Sequence, residues 1–107
     1  MTKVKICAGI CGMVTNVTAE ADDGYDLKLH IDSTCPSVQK MFEELGDEFS
    51  AFEEVMIKPG CGSFYKYASE HFPAHGGCPT ISGIIKCMEA ECGLALKAPV
   101  SIEFIED

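Results

Sequence analysis

The segment Met13–Asp32, MVTNVTAEADDGYDLKLHID, decides the fold. Its first part is rich in β-branched residues and brings Val17 and Ala19 onto one face. Its last part, Asp26–Asp32, alternates strictly, with two leucines and an isoleucine on one face and a lysine and a histidine on the other. Asp22-Asp23-Gly24 between the two parts is typical of a hairpin turn. The segment therefore predicts two antiparallel strands with one apolar face.

On the N-terminal side, Val4–Cys7 predicts another strand and completes a three-strand meander. On the C-terminal side the apolar period changes from two to between three and four after Pro36. This change predicts an amphipathic helix that ends at Gly46. Asp47–Lys58 is ambiguous, and we interpret it as a short helix followed by an extended piece. We interpret the paired glutamates of this region as a solvated helix face.

Two more helices and one more strand complete the predicted order of elements. Ser63 resembles the N-cap of a third helix, which Pro73 halts. A fourth helix follows Cys78-Pro79 and stops at Gly93, and Val100–Ile105 predicts a final strand. The expected class is α+β, a single domain over residues 1–107. It comprises a small antiparallel sheet, made of the meander and the C-terminal strand, with about four helices packed on one face.

Composition excludes several classes of function. The net charge is −9 and all eight basic residues are lysines, so the chain has no arginine to grip phosphates in a bidentate way. We therefore expect no nucleic-acid partner. No apolar run approaches the ~20 residues of a membrane span, and the N-terminus lacks the apolar core of a secretory signal. A cytoplasmic location, without membrane association and with an unidentified protein partner, is the expectation.

Seven cysteines in 107 residues are the compositional outlier. Their odd number and the expected reducing location favour metal binding or thiol chemistry over a disulfide scaffold. Simple burial stays an alternative, because free cysteine is often buried.

Cys35 and Cys78 each stand directly before a proline, which is favoured at the first position of a helix. Both are therefore predicted N-caps, where free backbone N–H groups and the helix dipole stabilise a thiolate. The alternative is a half-buried structural role. Cys11 stands beside Gly12 in the turn that enters the second strand, where the backbone can approach a ligand closely.

The other cysteines and one histidine have subordinate roles in this interpretation. Cys61, in a glycine-flanked loop, and His75, three residues before Cys78, are candidates for a fourth ligand. Cys7, four residues before Cys11 across the same turn, could join it in a site, but Cys7 is expected instead to face inward from its strand. Cys87 and Cys92 are expected to be structural residues of the last helix.

The order of Cys11-Gly12, Cys35 and Cys78 among three strands and two helix starts resembles the U-type iron–sulfur cluster scaffolds, IscU and the N-terminal domain of NifU. The resemblance implies that Cys11, Cys35 and Cys78 converge at one end of the sheet to hold a nascent cluster or a zinc ion. The chain departs from that family at Met13, where the family has aspartate, and it lacks the Leu-Pro-Pro-Val-Lys segment and the histidine directly before the last cysteine. The layout is also similar to an uncharacterised family of short Cys-Gly/Cys-Pro/Cys-Pro proteins of anaerobic prokaryotes.

Three thiolates that converge on one point repel one another unless a cation neutralises them, and soft thiolates select Zn²⁺, Cu⁺ or an iron–sulfur cluster. The sequence therefore predicts a small metal- or iron–sulfur-binding protein with a scaffold-like rather than an enzymatic role. Two alternatives stay open. One is a redox-active thiol protein, and the other is a non-enzymatic interaction module whose cysteines are structural.

Overall fold

The computed structural model describes residues 1–22 and 24–106, and within them it has four strands and four helices. The α+β class predicted from the sequence is confirmed. The elements, in chain order, are β1 Thr2–Cys7, β2 Val14–Ala21, β3 Asp26–Ser33, α1 Pro36–Leu45, β4 Glu48–Ser50, α2 Ala51–Glu54, α3 Ser63–His71 and α4 Thr80–Glu91.

The strands form one antiparallel sheet in the order β1-β2-β3-β4. The predicted meander is confirmed, and its register places Val17 opposite both Val4 and Ile31. Asp23, the middle residue of the predicted turn between β2 and β3, lies outside the described residues. On either side of it, Asp22 N–H donates to the Asp26 carbonyl over 3.3 Å, so the two strands remain paired as far as this turn.

The helices cover the face of the sheet that the alternation predicts to be apolar. Helix α4 packs on β1 and β2, and α1 packs on β3. Burial of the apolar side chains between the sheet and the helices is the main contribution to the stability of the fold. Each large apolar side chain contributes roughly 1.5–3 kcal/mol. The core residues of sheet and helices form a continuous cluster that includes Val17, Ala19, Leu27, Leu29, Val38, Met41, Phe64, Ile84, Cys87 and Met88.

The fourth strand is not the one that the sequence predicted. Strand β4 lies within the ambiguous stretch Asp47–Lys58 and pairs with the start of β3, with Phe49 opposite Leu27. The segment Val100–Ile105 has no regular secondary structure, and its apolar side chains are exposed. The prediction of a strand there was wrong for the isolated chain, because an alternating pattern becomes a strand only where a neighbouring strand pairs with it.

The two Cys-Pro pairs start their helices differently. Cys35 is the N-cap of α1 and Pro36 its first residue, as predicted. Helix α4 begins later, at Thr80, and Pro79 is its N-cap with φ −85° and ψ 2°. The prediction that Cys78 caps α4 was therefore wrong by one residue.

Two contacts fix the direction of α4 across the sheet. At its last residue, the Glu91 carboxylate accepts hydrogen bonds from the Thr2 hydroxyl over 2.7 Å and from the Ala21 N–H over 3.0 Å. Near its start, Gly83 lies against Ile6, so closely that an added Cβ would stand 2.6 Å from the Ile6 Cδ1. Helix α4 therefore runs antiparallel to β1, and its start lies beside the Cys7 end of that strand.

Candidate functional site

The predicted ligands Cys11, Cys35 and Cys78 all lie at one end of the sheet, which we call the thiol end. Cys11 is in the turn between β1 and β2, and Cys35 lies two residues after the end of β3. Because β1 and β3 run in the same direction in the meander, these two positions share an end of the sheet. Cys78 precedes α4, whose start lies beside the Cys7 end of β1.

The turn that carries Cys11 depends on two glycines. Gly9 and Gly12 have φ of 105° and 74°, a region that residues with a Cβ rarely adopt. Gly12 N–H donates to the Gly9 carbonyl over 2.9 Å, and Ala8 N–H donates to the Met13 carbonyl over 3.1 Å. This tight turn leaves the Cys11 side chain exposed to solvent.

Cys35 is held by the residues that precede it. Thr34 joins the end of β3 to β2 twice, because its hydroxyl accepts from the Val14 N–H over 2.8 Å and its own N–H donates to the Val14 carbonyl over 2.9 Å. Cys35 N–H donates to the Ser33 hydroxyl over 3.1 Å. The Cys35 side chain is half-buried and packs against the rim of the core.

Cys78 sits in the loop before α4. Its thiol donates to the Thr80 hydroxyl over 3.3 Å, and its N–H donates to the His75 carbonyl over 3.4 Å. The second contact keeps His75 at the thiol end. Gly76 and Gly77 between them have open space around them, so the loop has room to change its conformation.

The thiol end does not gather its ligands into a formed metal site. Within residues 1–22 and 24–106, no three Cys, His, Asp or Glu side chains stand close enough together to hold one metal ion. Thiols that are exposed or half-buried are suitable donors for a soft metal ion, but these three stand too far apart to bind one ion together. Ligation by Cys11, Cys35 and Cys78 therefore stays a prediction.

Cys61, one of the two candidates for the fourth ligand, lies at the opposite end of the sheet. Its neighbour Gly62 lies against Glu54 of α2. Helix α2 directly follows β4, whose last residue pairs with Asp26 at the start of β3. The start of β3 is the end remote from Cys35. Of the two candidates, His75 is the one that the fold keeps near the other cysteines.

The chain matches a known protein family over most of its length. A family model described as "Family of unknown function (DUF6951)" matches residues 2–104. The chain belongs to the DUF6951 family. No curated protein and no solved structure matches it. The resemblance to the U-type scaffolds therefore stays a prediction, as does the resemblance to the short proteins of anaerobes.

Two cysteines of this DUF6951 chain are structural. Cys87 is buried, its thiol donates to the Thr2 carbonyl over 3.4 Å, and burial raises its pKa to about 11. Cys92 is half-buried, and burial together with the nearby Glu91 carboxylate raises its pKa above the ordinary value. Neither thiol is disposed to ionise, so neither is a good metal ligand or nucleophile at neutral pH.

The orientation of Cys7 contradicts one prediction. It was expected to face inward, but its side chain is exposed. The half-buried residues of β1 are Val4 and Ile6, and successive side chains of a strand point to opposite faces. Cys7 therefore lies on the face of the sheet away from the helices, at the thiol end.

Sequence reasoning missed Glu54, which was interpreted as part of a solvated helix face. Its side chain is buried, and its carboxylate accepts from the Ser63 N–H over 2.8 Å and from the Ser63 hydroxyl over 2.6 Å. It satisfies the first turn of α3, whose N-cap is Gly62 rather than Ser63. Four residues of helix are too few for periodicity to reveal which glutamate faces inward.

The helices of this family member are short. Within the described part of the chain, none has both the length and the apolar character that crossing a membrane requires. The longest, α4, has 12 residues.

Proposed function

We propose that this protein binds a soft metal ion or an iron–sulfur cluster through Cys11, Cys35 and Cys78, in a scaffold-like rather than an enzymatic role. The observation that carries the proposal is topological. Three thiols from three separate segments lie at the same end of the sheet, as does the exposed Cys7. Cys87 in α4 and Cys92 directly after it have raised pKa values and lie elsewhere.

The chemistry of the three residues supports the proposal. Thiolates are soft ligands that select Zn²⁺, Cu⁺ or iron–sulfur clusters over hard cations such as Mg²⁺. Three protein ligands leave a fourth coordination position open, which suits a transferable cluster or a zinc ion with an exchangeable ligand. The His75 imidazole belongs to the loop that carries Cys78 and is the nearest candidate for that position.

Binding has to draw the sulfurs closer together than they stand in the metal-free chain. The two segments best able to move are rich in glycine. One is the β1–β2 turn with Gly9 and Gly12, and the other is the approach to Cys78 with Gly76 and Gly77, around which there is open space. Metal binding is therefore expected to order the thiol end and to raise the free energy of unfolding, because the ligand binds the folded state alone.

The test is metal content under strict exclusion of oxygen. The wild-type protein is purified anaerobically, incubated with Zn²⁺ or with ferrous iron and sulfide, desalted and analysed by elemental mass spectrometry and visible absorption. We expect about one zinc ion or one coloured cluster per chain or per oligomer, and its loss in the triple variant Cys11→Ser, Cys35→Ser, Cys78→Ser. The matched control is Cys61→Ser, which removes an exposed thiol at the opposite end of the sheet and should keep the metal.

Three results would contradict the proposal. They are a wild-type protein that binds no metal, equal binding by the triple variant, and equal loss in the Cys61→Ser control. If the wild type binds no metal but forms a reversible disulfide between two thiols of the thiol end, the redox-active alternative replaces the proposal. Peptide mapping of the alkylated protein identifies such a disulfide directly.

A further inference from the structure

Residues 96–106 form an exposed segment with an alternating apolar pattern. Val100, Ile102 and Phe104 alternate with Ser101 and Glu103, which is the pattern of a strand with one apolar face. The three apolar side chains are 69%, 83% and 102% exposed. A soluble chain rarely leaves such a row uncovered, so the segment is typical of an interaction site.

The chain also has an uncovered sheet edge. Within the described residues, β1 pairs with β2 alone and stands at the outside of the sheet. Ala8 N–H donates to the Met13 carbonyl, and this pair continues the β1–β2 register by one residue beyond Cys7 and Val14. Hydrogen-bonded pairs alternate along antiparallel strands, so the even-numbered residues of β1 direct their backbone groups toward β2. The backbone N–H and carbonyl groups of Lys3, Lys5 and Cys7 therefore point outward, ready to pair with another strand.

The side chains of this edge match those of the segment. On β1, Val4 and Ile6 face the helices, and Lys3 and Lys5 are exposed on the other face. An added antiparallel strand that sets Ile102 opposite Val4 also sets Val100 opposite Ile6 and Glu103 opposite Lys3. Apolar side chains then extend the covered face, and opposite charges meet on the open face, which is the favourable combination for cross-strand pairs.

We propose that Val100–Ile105 of one chain adds as a strand to the β1 edge of a second copy of this chain, in a reciprocal dimer. Lys3 and Lys5 on the edge disfavour pairing with basic or neutral strands, whereas Glu103 of the segment brings a negative charge opposite Lys3. The connection 94–99 is six residues long and reaches up to ~20 Å, enough to cross to a neighbouring molecule. Pro99 stands directly before the added strand, opposite Cys7 in this register, and its missing N–H ends the ladder of hydrogen bonds there.

The second copy is favoured over the chain's own edge by the position of the segment. Its apolar side chains are fully or largely exposed rather than placed against Val4 and Ile6 of the same molecule. Exchange between two copies covers two edges and two apolar rows at once, and a two-fold symmetric interface closes without growing into a fibre.

The test is the oligomeric state of the full chain, measured by light scattering after size exclusion over a concentration series. We expect a dimer whose dissociation constant rises at least ~100-fold in Ile102→Asp, because a carboxylate would be buried in both strands of the reciprocal interface. The matched control is Leu96→Asp, which makes the same chemical change at an 89% exposed position outside the added strand. This control should dimerise like the wild type.

Charge reversal and hydrogen exchange give independent evidence. Lys3→Glu should weaken the dimer, and Lys3→Glu combined with Glu103→Lys should restore it. Amides of Val100–Ile105 should become protected as the protein concentration rises. A monomer at every concentration, a dimer indifferent to Ile102→Asp, equal loss in Leu96→Asp, or protection of the segment that does not depend on concentration would each overturn the proposal. The last of these would assign the segment to its own edge.

Discussion

Replacement of Gly83 by alanine should destabilise the protein, although alanine is the better helix former. Gly83 is in the first half of α4, where it faces Ile6 of β1. A Cβ at this position would lie 2.6 Å from the Ile6 Cδ1 and 2.7 Å from its Cγ1, well inside van der Waals contact. The substitution therefore sets two effects of opposite sign against each other.

The magnitudes follow from the contact. Alanine in place of glycine inside a helix stabilises by about 1 kcal/mol, whereas forcing a methyl group into a packed contact costs about 1–3 kcal/mol. The β-branched Ile6 side chain has few rotamers with which to move away. Gly83→Ala should thus lower the free energy of unfolding by up to about 2 kcal/mol in the wild type.

The control is the same substitution in an Ile6→Ala background, in which both clashing atoms are gone. There Gly83→Ala should stabilise by about 1 kcal/mol, because only the gain in helix propensity remains. Urea unfolding followed by far-UV circular dichroism on the four proteins of this cycle gives the coupling energy, expected at about 1–3 kcal/mol. If Gly83→Ala stabilises the wild type as much as it stabilises the Ile6→Ala protein, α4 does not approach β1 as closely as described.

Two further predictions concern ionisation. Alkylation of the native protein, followed by mass spectrometry, should leave Cys87 unmodified while the exposed Cys61 reacts. Burial keeps the reagent away from Cys87, and the rise of its pKa from 9.0 to about 11 lowers its thiolate fraction about 100-fold. Similar alkylation rates at the two thiols would contradict this prediction. Burial opposes ionisation of Glu91, but hydrogen bonds from the Ala21 N–H and the Thr2 hydroxyl hold its pKa below 4.5. Its stabilising contribution is therefore complete above that pH and disappears as the pH falls through the folded-state pKa. Glu91→Gln should cost about 1 kcal/mol at pH 7 and little in acid, and an equal loss at both pH values would argue against the charge.

The parts of the fold that the sequence predicted correctly are those with a long periodic signal. The meander alternates over eight residues in β2 and in β3, and the helix stripe after Pro36 spans ten residues. Strand β4 was missed because three residues carry no period, and its pairing with β3 depends on register rather than on local pattern. The opposite error occurred at Val100–Ile105, where the pattern is clear but no strand within residues 1–22 and 24–106 pairs with it.

The candidate site was predictable in its parts and not in its assembly. Cys-Pro and Cys-Gly pairs identified the residues near turns and helix starts, and the chain order of the elements was enough to bring them to one end of the sheet. Sulfur positions depend instead on loop conformations that sequence patterns do not determine. Cys61 illustrates the difference, because only the pairing of β4 with the start of β3 reveals that it lies at the other end.

The separation of Cys87 from the other thiols has a consequence for the lifetime of this protein in air. Oxidation begins at accessible thiols, and Cys7, Cys11 and Cys61 are exposed, whereas Cys87 of α4 is buried and its thiol donates to the Thr2 carbonyl. Oxygen and peroxide therefore attack the surface long before they reach the packing that maintains the fold. An aged preparation would keep the circular dichroism of its helices and sheet after its exposed thiols had been oxidised, so intact secondary structure is no measure of intact thiols.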